Sequence, residues 1–268
     1  MKDSDRVHII DKWCDVDVHE VKYQRHLFVR FAAKGKRFTK VDFSYSIFDM
    51  CYLRDCIFDT CDFTGCQFFR TNLNGASFSG CKFHYSTFER TPVDIAILDT
   101  ECPPYENLKM EFARTLRMNY QQLGNAIGVN KAINVELQAN ETHLYKAWHS
   151  NESYYRKKYA GLKRARYFLE WLCFKALDFI WGNSENAWKL IRSGILLLVV
   201  IAFIDVVVFR NSCSLQDFGR AMIEAPQIFI GTLTPTMYPT SYLTVIVFAR
   251  LVTLGFFTSI IIKRLSRR

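Results

Sequence analysis

Histidine is scarce in this chain, six among 268 residues, and the six are scattered. No His/Asp/Ser set and no run of metal ligands falls at a spacing that would build a nucleophile or a metal site. Enzymatic chemistry, a metal and an organic cofactor are therefore not expected. The start, MKDSDRVHII, lacks the apolar stretch of a secretory leader, which predicts a cytoplasmic N-terminus. Nor is the chain poor in apolar residues; they make up 50% of it, which excludes a disordered protein. Acidic charge is outweighed, giving a formal net charge of +9, but unevenly. Residues 41–100 carry eight acidic and four basic side chains, whereas 105–192 carry eight acidic and fourteen basic ones. Only two apolar runs are long, and both lie close to the C-terminus.

The first positive signal is a repeat. From Phe38 a large apolar residue stands at every fifth position: Phe38, Phe43, Phe48, Leu53, Phe58, Phe63, Phe68, Leu73, Phe78, Phe83, Phe88, Val93 and Leu98. Two positions before nearly every one is a small residue: Val41, Ser46, Cys51, Cys56, Cys61, Cys66, Thr71, Ala76, Cys81, Ser86, Thr91 and Ala96. Neither the helical nor the strand period divides five, so this is neither an amphipathic helix nor an ordinary strand. The pattern resembles the pentapeptide-repeat family. That resemblance implies a right-handed quadrilateral β-helix with four pentapeptides per turn, here a little over three coils. Five of the nine cysteines share the small position, where a free thiol acts as a small hydrophobe. A five-residue spacing puts successive cysteines on successive faces of such a coil and not around one metal. Disulfides are not expected in a cytoplasmic setting. Residues 1–37 show no clean period and are read as an N-terminal cap or lead-in to a repeat domain over 38–102.

Pro103-Pro104 ends the repeat, and a helical linker is predicted over 103–167. Leu108, Phe112, Leu116, Tyr120 and Leu123 recur at three or four, Gly124 stops that helix, a second is predicted over Ala126–His149, and a third begins near Asn151. Tyr155, Tyr159 and Tyr167 interleave with six basic residues, Arg156, Lys157, Lys158, Lys163, Arg164 and Arg166. Three roles fit this stripe: contact with anionic lipid headgroups, a solvated helix face, or a nucleotide or short oligonucleotide held by phosphate contacts and stacking. Phe168 to Trp181 is apolar and aromatic but broken by Glu170, Lys175 and Asp178, which predicts an interfacial helix and turn over 168–187. Ser184 is placed to cap the next helix, with Glu185 in its first turn.

Residues 188–268 hold the two long apolar runs, Leu190 to Phe209 and Ser241 to Ile262, each close to the ~20 residues a membrane helix needs. Between them an apolar half-length segment, Phe218 to Gly231, is followed by the Gly/Thr/Pro-rich strip Gly231-Thr232-Leu233-Thr234-Pro235-Thr236, which reads as a re-entrant helix and loop. The order resembles the two-helix pore module of the potassium-channel superfamily. It implies a filter at Gly231 to Thr236, with Thr232, Thr234 and Thr236 as pore-lining hydroxyls, Glu224 as a pore charge and Gly255 as a hinge. Both filter glycines of that superfamily are missing and Pro235 fixes its own φ, so potassium selectivity is not expected. Lys189 and Arg192 before the first run, and Lys263, Arg264, Arg267 and Arg268 after the second, predict that both termini are cytoplasmic. Asp205 and Arg250 lie at depths differing by only ~6 Å, and an intramembrane pair between them is expected, either structural or in the permeation path.

These readings describe an α+β membrane protein with a pentapeptide-repeat β-helix, a helical linker and two transmembrane helices around a re-entrant pore segment. The combination resembles bacterial proteins that join pentapeptide repeats to a two-helix channel module. It implies a homotetrameric, multi-pass inner-membrane ion channel that passes permeant ions and is gated by its cytoplasmic region. A membrane-depolarising anti-phage effector under nucleotide control fits that architecture. The competing reading is a membrane-anchored scaffold whose repeats bind a protein partner.

Overall fold

The computed structural model describes residues 6–182, 187–210 and 214–266. It divides into two compact units, one ending at Tyr167 and one starting at Phe168, each with its own core. Ser184, Glu185, Arg267 and Arg268 lie outside the described residues.

The first unit opens with short strands β1 (Val7–Ile10), β2 (Val18–His19), β3 (His26–Val29), β4 (Arg37–Thr39), β5 (Ile47–Asp49), β6 (Ile57–Asp59), β7 (Gln67–Phe69), β8 (Ser77–Ser79) and β9 (Thr87–Glu89). All pair in parallel, in the orders β1-β3-β5-β7-β9 and β2-β4-β6-β8, while single bridges such as Asp42–Asp62 and Tyr52–Asn72 close the two intervening faces. This is a β-solenoid, and its five-strand face encloses four complete turns.

The period of five follows from what each position must do. Central residues point inward and stack on the residue one coil away: Phe28–Phe48–Phe68–Phe88 at 4.8, 5.0 and 4.9 Å, Phe38–Phe58–Phe78 at 5.1 and 5.2 Å, Phe43–Phe63–Phe83 at 5.2 and 5.0 Å. Those spacings are close to the ~4.8 Å between paired strands, so ring stacking and the backbone ladder share one repeat distance. The small position is buried, and its side chain often donates to a carbonyl of the preceding coil. Cys61 Sγ reaches Phe38 O at 3.3 Å, Cys66 Sγ reaches Phe43 O at 2.9 Å, and Thr71 Oγ1 reaches Phe48 O at 3.1 Å. Cysteine, serine and threonine suit this place because it requires little volume and one weak donor. Two residues after each centre from Val18 to Phe88 the chain turns a corner with positive φ, as at Met50 (54°), Asp55 (58°) and Gly75 (71°).

The lead-in expected for residues 1–37 is part of the solenoid, which starts at Val7 and not at Phe38. The pattern is hidden before Val18 by a one-residue slip, and after it by Ala33 at a centre and by Val21, His26 and Phe31 at the small positions. Ile9 pairs with Phe28, nineteen positions on, whereas Val18 pairs with Phe38, twenty on, so the coil loses a residue between Cys14 and Val18. The slip points Trp13 outward, 59% exposed, and leaves the small Cys14 as the inward residue.

The solenoid's last coil is closed by helices. After α1 (Ile97–Thr100), the buried Glu101 carboxylate accepts from Cys81 N at 2.6 Å. α2 (Glu106–Gln122) lays one face across the end: Phe88 N donates to Thr115 Oγ1 at 3.1 Å, Arg90 N to Gln122 Oε1 at 2.9 Å, and Thr91 N to Asn119 Oδ1 at 2.8 Å. Asn119 Nδ2 returns a bond to Thr91 O at 2.8 Å. These side chains stand where a further coil's backbone would, and Phe112, Leu116 and Tyr120 continue the solenoid core. The expected division at 102/103 is thus crossed by one core, and α2 is a cap as well as a linker helix. α3 (Ala126–His149) runs back along α2 from an Asn125 N-cap, tied by Arg114 and Arg117 to Glu136, both at 3.0 Å, and by Lys146 to Glu106 at 3.2 Å. Two shorter steps follow, α4 (Ser153–Lys158) and the start of α5 (Leu162–Trp181).

The second unit holds the rest of α5, α6 (Ala187–Ile204), a π-helical turn (Asp205–Phe209), α7 (Leu215–Ile230) and α8 (Thr240–Ser266). Two stretches, Trp188–Phe209 and Thr240–Ser259, are long and apolar enough to cross a membrane. Lys189 Nζ meets Asp178 Oδ2 at 2.8 Å and Ser193 Oγ donates to Ile180 O at 2.8 Å, joining the end of α5 to the start of α6.

Replacing Asn119 with Ala strands both the N–H and the carbonyl of Thr91 in the core, at about 1–3 kcal/mol for each group. Denaturant unfolding of the detergent-solubilised chain, followed by tyrosine fluorescence, should show at least the lower figure. Burial raises the Cys51 thiol from 9.0 to about 11. Because the folded state holds that proton more tightly, its contribution is full below pH 9.0 and is lost as pH rises to about 11. Cys51→Ser is expected to reduce that alkaline loss in a pH series of unfolding midpoints.

Candidate functional site

The strip between α7 and α8 is built from its two ends. Pro226 sits inside α7, whose last residue hands over to Gly231 at φ 92°, a left-handed C-cap that glycine adopts without strain. The Gln227 carbonyl then accepts from Gly231 N and Thr232 N at 2.9 Å each, from Leu233 N at 3.3 Å and from Thr232 Oγ1 at 3.2 Å. One orphan carbonyl therefore organises the turn out of the helix. Beyond it the side chains alternate: Thr232, Thr234 and Thr236 are exposed, while Leu233 and Pro235 are half-buried. Tyr238 N closes a turn onto Pro235 O at 3.3 Å.

The far end of the strip is anchored by a buried polar network. Tyr238 Oη donates to Asp205 Oδ1 at 2.8 Å, and Asp205 Oδ2 lies 2.7 Å from Arg210 Nε as an ion pair without hydrogen-bond alignment. Arg210 Nη2 also pairs with Glu224 on α7. Arg210 N closes the π turn on Asp205 O at 2.9 Å. The wider turn buries Asp205 and Val206 in succession, where an uninterrupted α-helix had been expected to Phe209. Phe209, Tyr238 and Tyr242 pack around this network with centroids 4.5 to 5.3 Å apart.

The expected Asp205–Arg250 pair does not form. Asp205 is satisfied by Tyr238 and Arg210, and Arg250 Nε donates to Phe229 O at 2.5 Å instead. Depth alone had matched the two, whereas the helix ends nearest each residue supplied better partners. Glu224, expected as a pore charge, is paired with Arg210. Gly255 lies within α8, and a Cβ there would meet nothing within 4 Å, so packing does not demand a glycine. Arg210 and Tyr238 carry the network, and neither lies in a pattern that marks it in the sequence.

The polybasic stripe is split by orientation. Tyr155 and Tyr159 are buried and Tyr167 is half-buried, all three gathered on His143, whose ring nitrogen lies 3.2 Å from Tyr159 Oη. Burial pushes Tyr155 up to about 12, and burial, followed by the charge of Lys158, lowers His143. No stacking platform for a base is left by these three rings. Lys157, Lys158, Lys163, Arg164 and Arg166 are exposed, while Arg156 is half-buried and reaches Ala147 O at 3.5 Å. Lys158 Nζ sits 5.3 Å from the Tyr154 ring centroid, and Arg164 Nε donates to Trp148 O at 2.6 Å.

Comparison with known proteins bears on the first unit. Residues 61–93 match the family described as pentapeptide repeats, with eight copies. None of the curated proteins compared with the chain matches it. Among solved structures, two trypsin-treated variants of QnrB1, a plasmid-mediated fluoroquinolone resistance protein, are similar at 17% and 14% identity. The matches cover 33% and 32% of this chain, 56% and 60% of those chains, with TM-scores of 0.16 and 0.13. The chain thus contains a pentapeptide-repeat β-solenoid together with two helices apolar enough to span a membrane.

Tyr238→Phe removes a hydrogen bond to a buried carboxylate and is expected to cost about 1.5–3 kcal/mol. Tyr242→Phe is its control, because the buried Tyr242 hydroxyl has no hydrogen-bond partner and its loss should be neutral. Thermal melts of both variants in the same detergent would show the difference.

Proposed function

We propose that this chain is a subunit of an oligomeric ion channel of the bacterial inner membrane, with both termini cytoplasmic. The observation that carries the reading is the fixed strip after α7. A helix of 16 residues is too short to span, yet it lies against α6 and α8, and it ends in a segment with three exposed threonines at alternate positions. A plain anchor has no use for such a segment, nor for a buried network of Asp205, Arg210, Glu224 and Tyr238 to fix it. Non-helical backbone at membrane depth survives where it is buried in protein or lines water, which suits a constriction.

One copy of α6 and α8 cannot enclose a pore, so several copies are required, and four is the number the pore-module resemblance implies. Ile195, Val200, Val245, Phe248 and Leu251 are among the large apolar side chains a single copy leaves exposed, available to lipid and to neighbouring copies. The solenoid and its helical cap act as the regulatory region. In this reading the exposed lysines and arginines of α4 and α5 meet phosphates of anionic headgroups, since Tyr155, Tyr159 and Tyr167 are turned inward and only Tyr154 beside them is exposed.

The tethered-scaffold reading keeps one observation of its own. Tyr45 and Tyr85 are 52% and 63% exposed at solenoid corners with φ of 60° and 58°, a conformation bulky side chains rarely adopt. Outward tyrosines held that way suit a protein partner.

Flux of ions from liposomes containing the purified full-length chain separates the two. The channel reading predicts flux from the native chain and a several-fold change with Thr234→Lys, with protein content and orientation matched. The scaffold reading predicts none from either.

A further inference from the structure

A helix of this length carries roughly half a negative charge at its C-terminus, spread over carbonyls that have no partner within the helix. At the end of α7 that charge is consumed. The Gln227 carbonyl takes three N–H groups and a hydroxyl. Arg250, reaching across from α8, takes the Phe229 carbonyl at 2.5 Å and lies 3.5 Å from that of Ile228. Its guanidinium is so close to Gly231 that a Cβ added there would lie 2.8 Å from both terminal nitrogens. A whole positive charge thus offsets about half a negative one at the root of the strip, leaving a net positive end.

Among the described residues Arg250 makes no salt bridge. Asp205 and Glu224 are both held by Arg210, a cluster that keeps one net negative charge at the other end of the strip. The strip from Thr232 to Thr236 contains no acid; the Thr232 hydroxyl is spent on Gln227 O, and those of Thr234 and Thr236 can donate or accept. Arg250 also borders an apolar cleft of about 230 Å³ with Leu190, Phe229 and Phe257, so its surroundings screen it less than water would.

We propose that Arg250 makes the conduction path prefer anions over cations, with one such charge per subunit set around the constriction. This rests on the channel reading and adds the class of permeant ion to it. Cations would meet a positive helix end, whereas a halide or similar small anion would find it complementary.

Reversal potentials measured on the reconstituted full-length chain in a KCl gradient test it. Native protein should reverse toward the chloride equilibrium potential, and Arg250→Gln should reduce the chloride-to-potassium permeability ratio by about threefold or more. Arg250→Lys, which keeps the charge and loses the planar fork, should stay on the chloride side. Reversal of the native chain at the potassium potential, or an unchanged ratio in Arg250→Gln, overturns the proposal while the channel reading stands. If Arg250→Gln does not insert, the native chain and Arg250→Lys decide by the same sign. Absence of current from correctly inserted native chain overturns the channel reading and the proposal with it.

Discussion

Every regular backbone element in this protein ends in groups that still need partners, and both units are shaped by how those ends are closed. In the solenoid the ladder would continue indefinitely, since each coil offers the next the same donors and acceptors. It stops because Thr115, Asn119 and Gln122, spaced along one face of α2, replace a coil's backbone with side chains at 2.8 to 3.1 Å. In the second unit α7 stops at Gly231, and its orphan carbonyls are shared between the strip and Arg250. An unpaired buried group of either kind costs as much as a lost hydrogen bond, which is why both closures recruit residues distant in sequence.

The same constraint explains what could be read in advance. The period of five from Phe38 onward was legible because stacked rings and small buried donors restrict residue type at every coil. Residues 7–37 were not: a missing residue between Cys14 and Val18 shifts the phase of what precedes it, and in 18–37, where Val18, Tyr23 and Phe28 keep the period, Ala33 stands at a centre and Val21, His26 and Phe31 at the small positions. Helix limits in the connector followed from apolar spacing and from Gly124, but α2's role as a cap depends on contacts to Thr91 and Phe88 that no local pattern announces. In the second unit the apolar runs and the half-length helix were visible. Partner choice was not, for matched depth says nothing of direction, and each of Asp205 and Arg250 turned to the helix or strip end nearest it.

Joined together, these closures give a physical picture of the proposed channel. The strip is held at its beginning by Gln227 and Arg250 and at its end by Tyr238 on Asp205, with Arg210 tying the network back to Glu224 on α7. Its conformation is therefore set by one glycine, Gly231, by the Gln227 carbonyl and by the side chains of Asp205, Tyr238 and Arg250. The threonines between those anchors are left facing outward, where they can meet an ion only if copies of the unit surround a common axis.

Recording current across a planar bilayer after fusion of vesicles carrying the purified full-length chain tests that picture most directly. Discrete, repeated current steps of one amplitude, absent from protein-free vesicles, are the predicted result. A flat baseline with protein demonstrably inserted in the bilayer would contradict it and leave the two apolar helices as a membrane anchor for the solenoid.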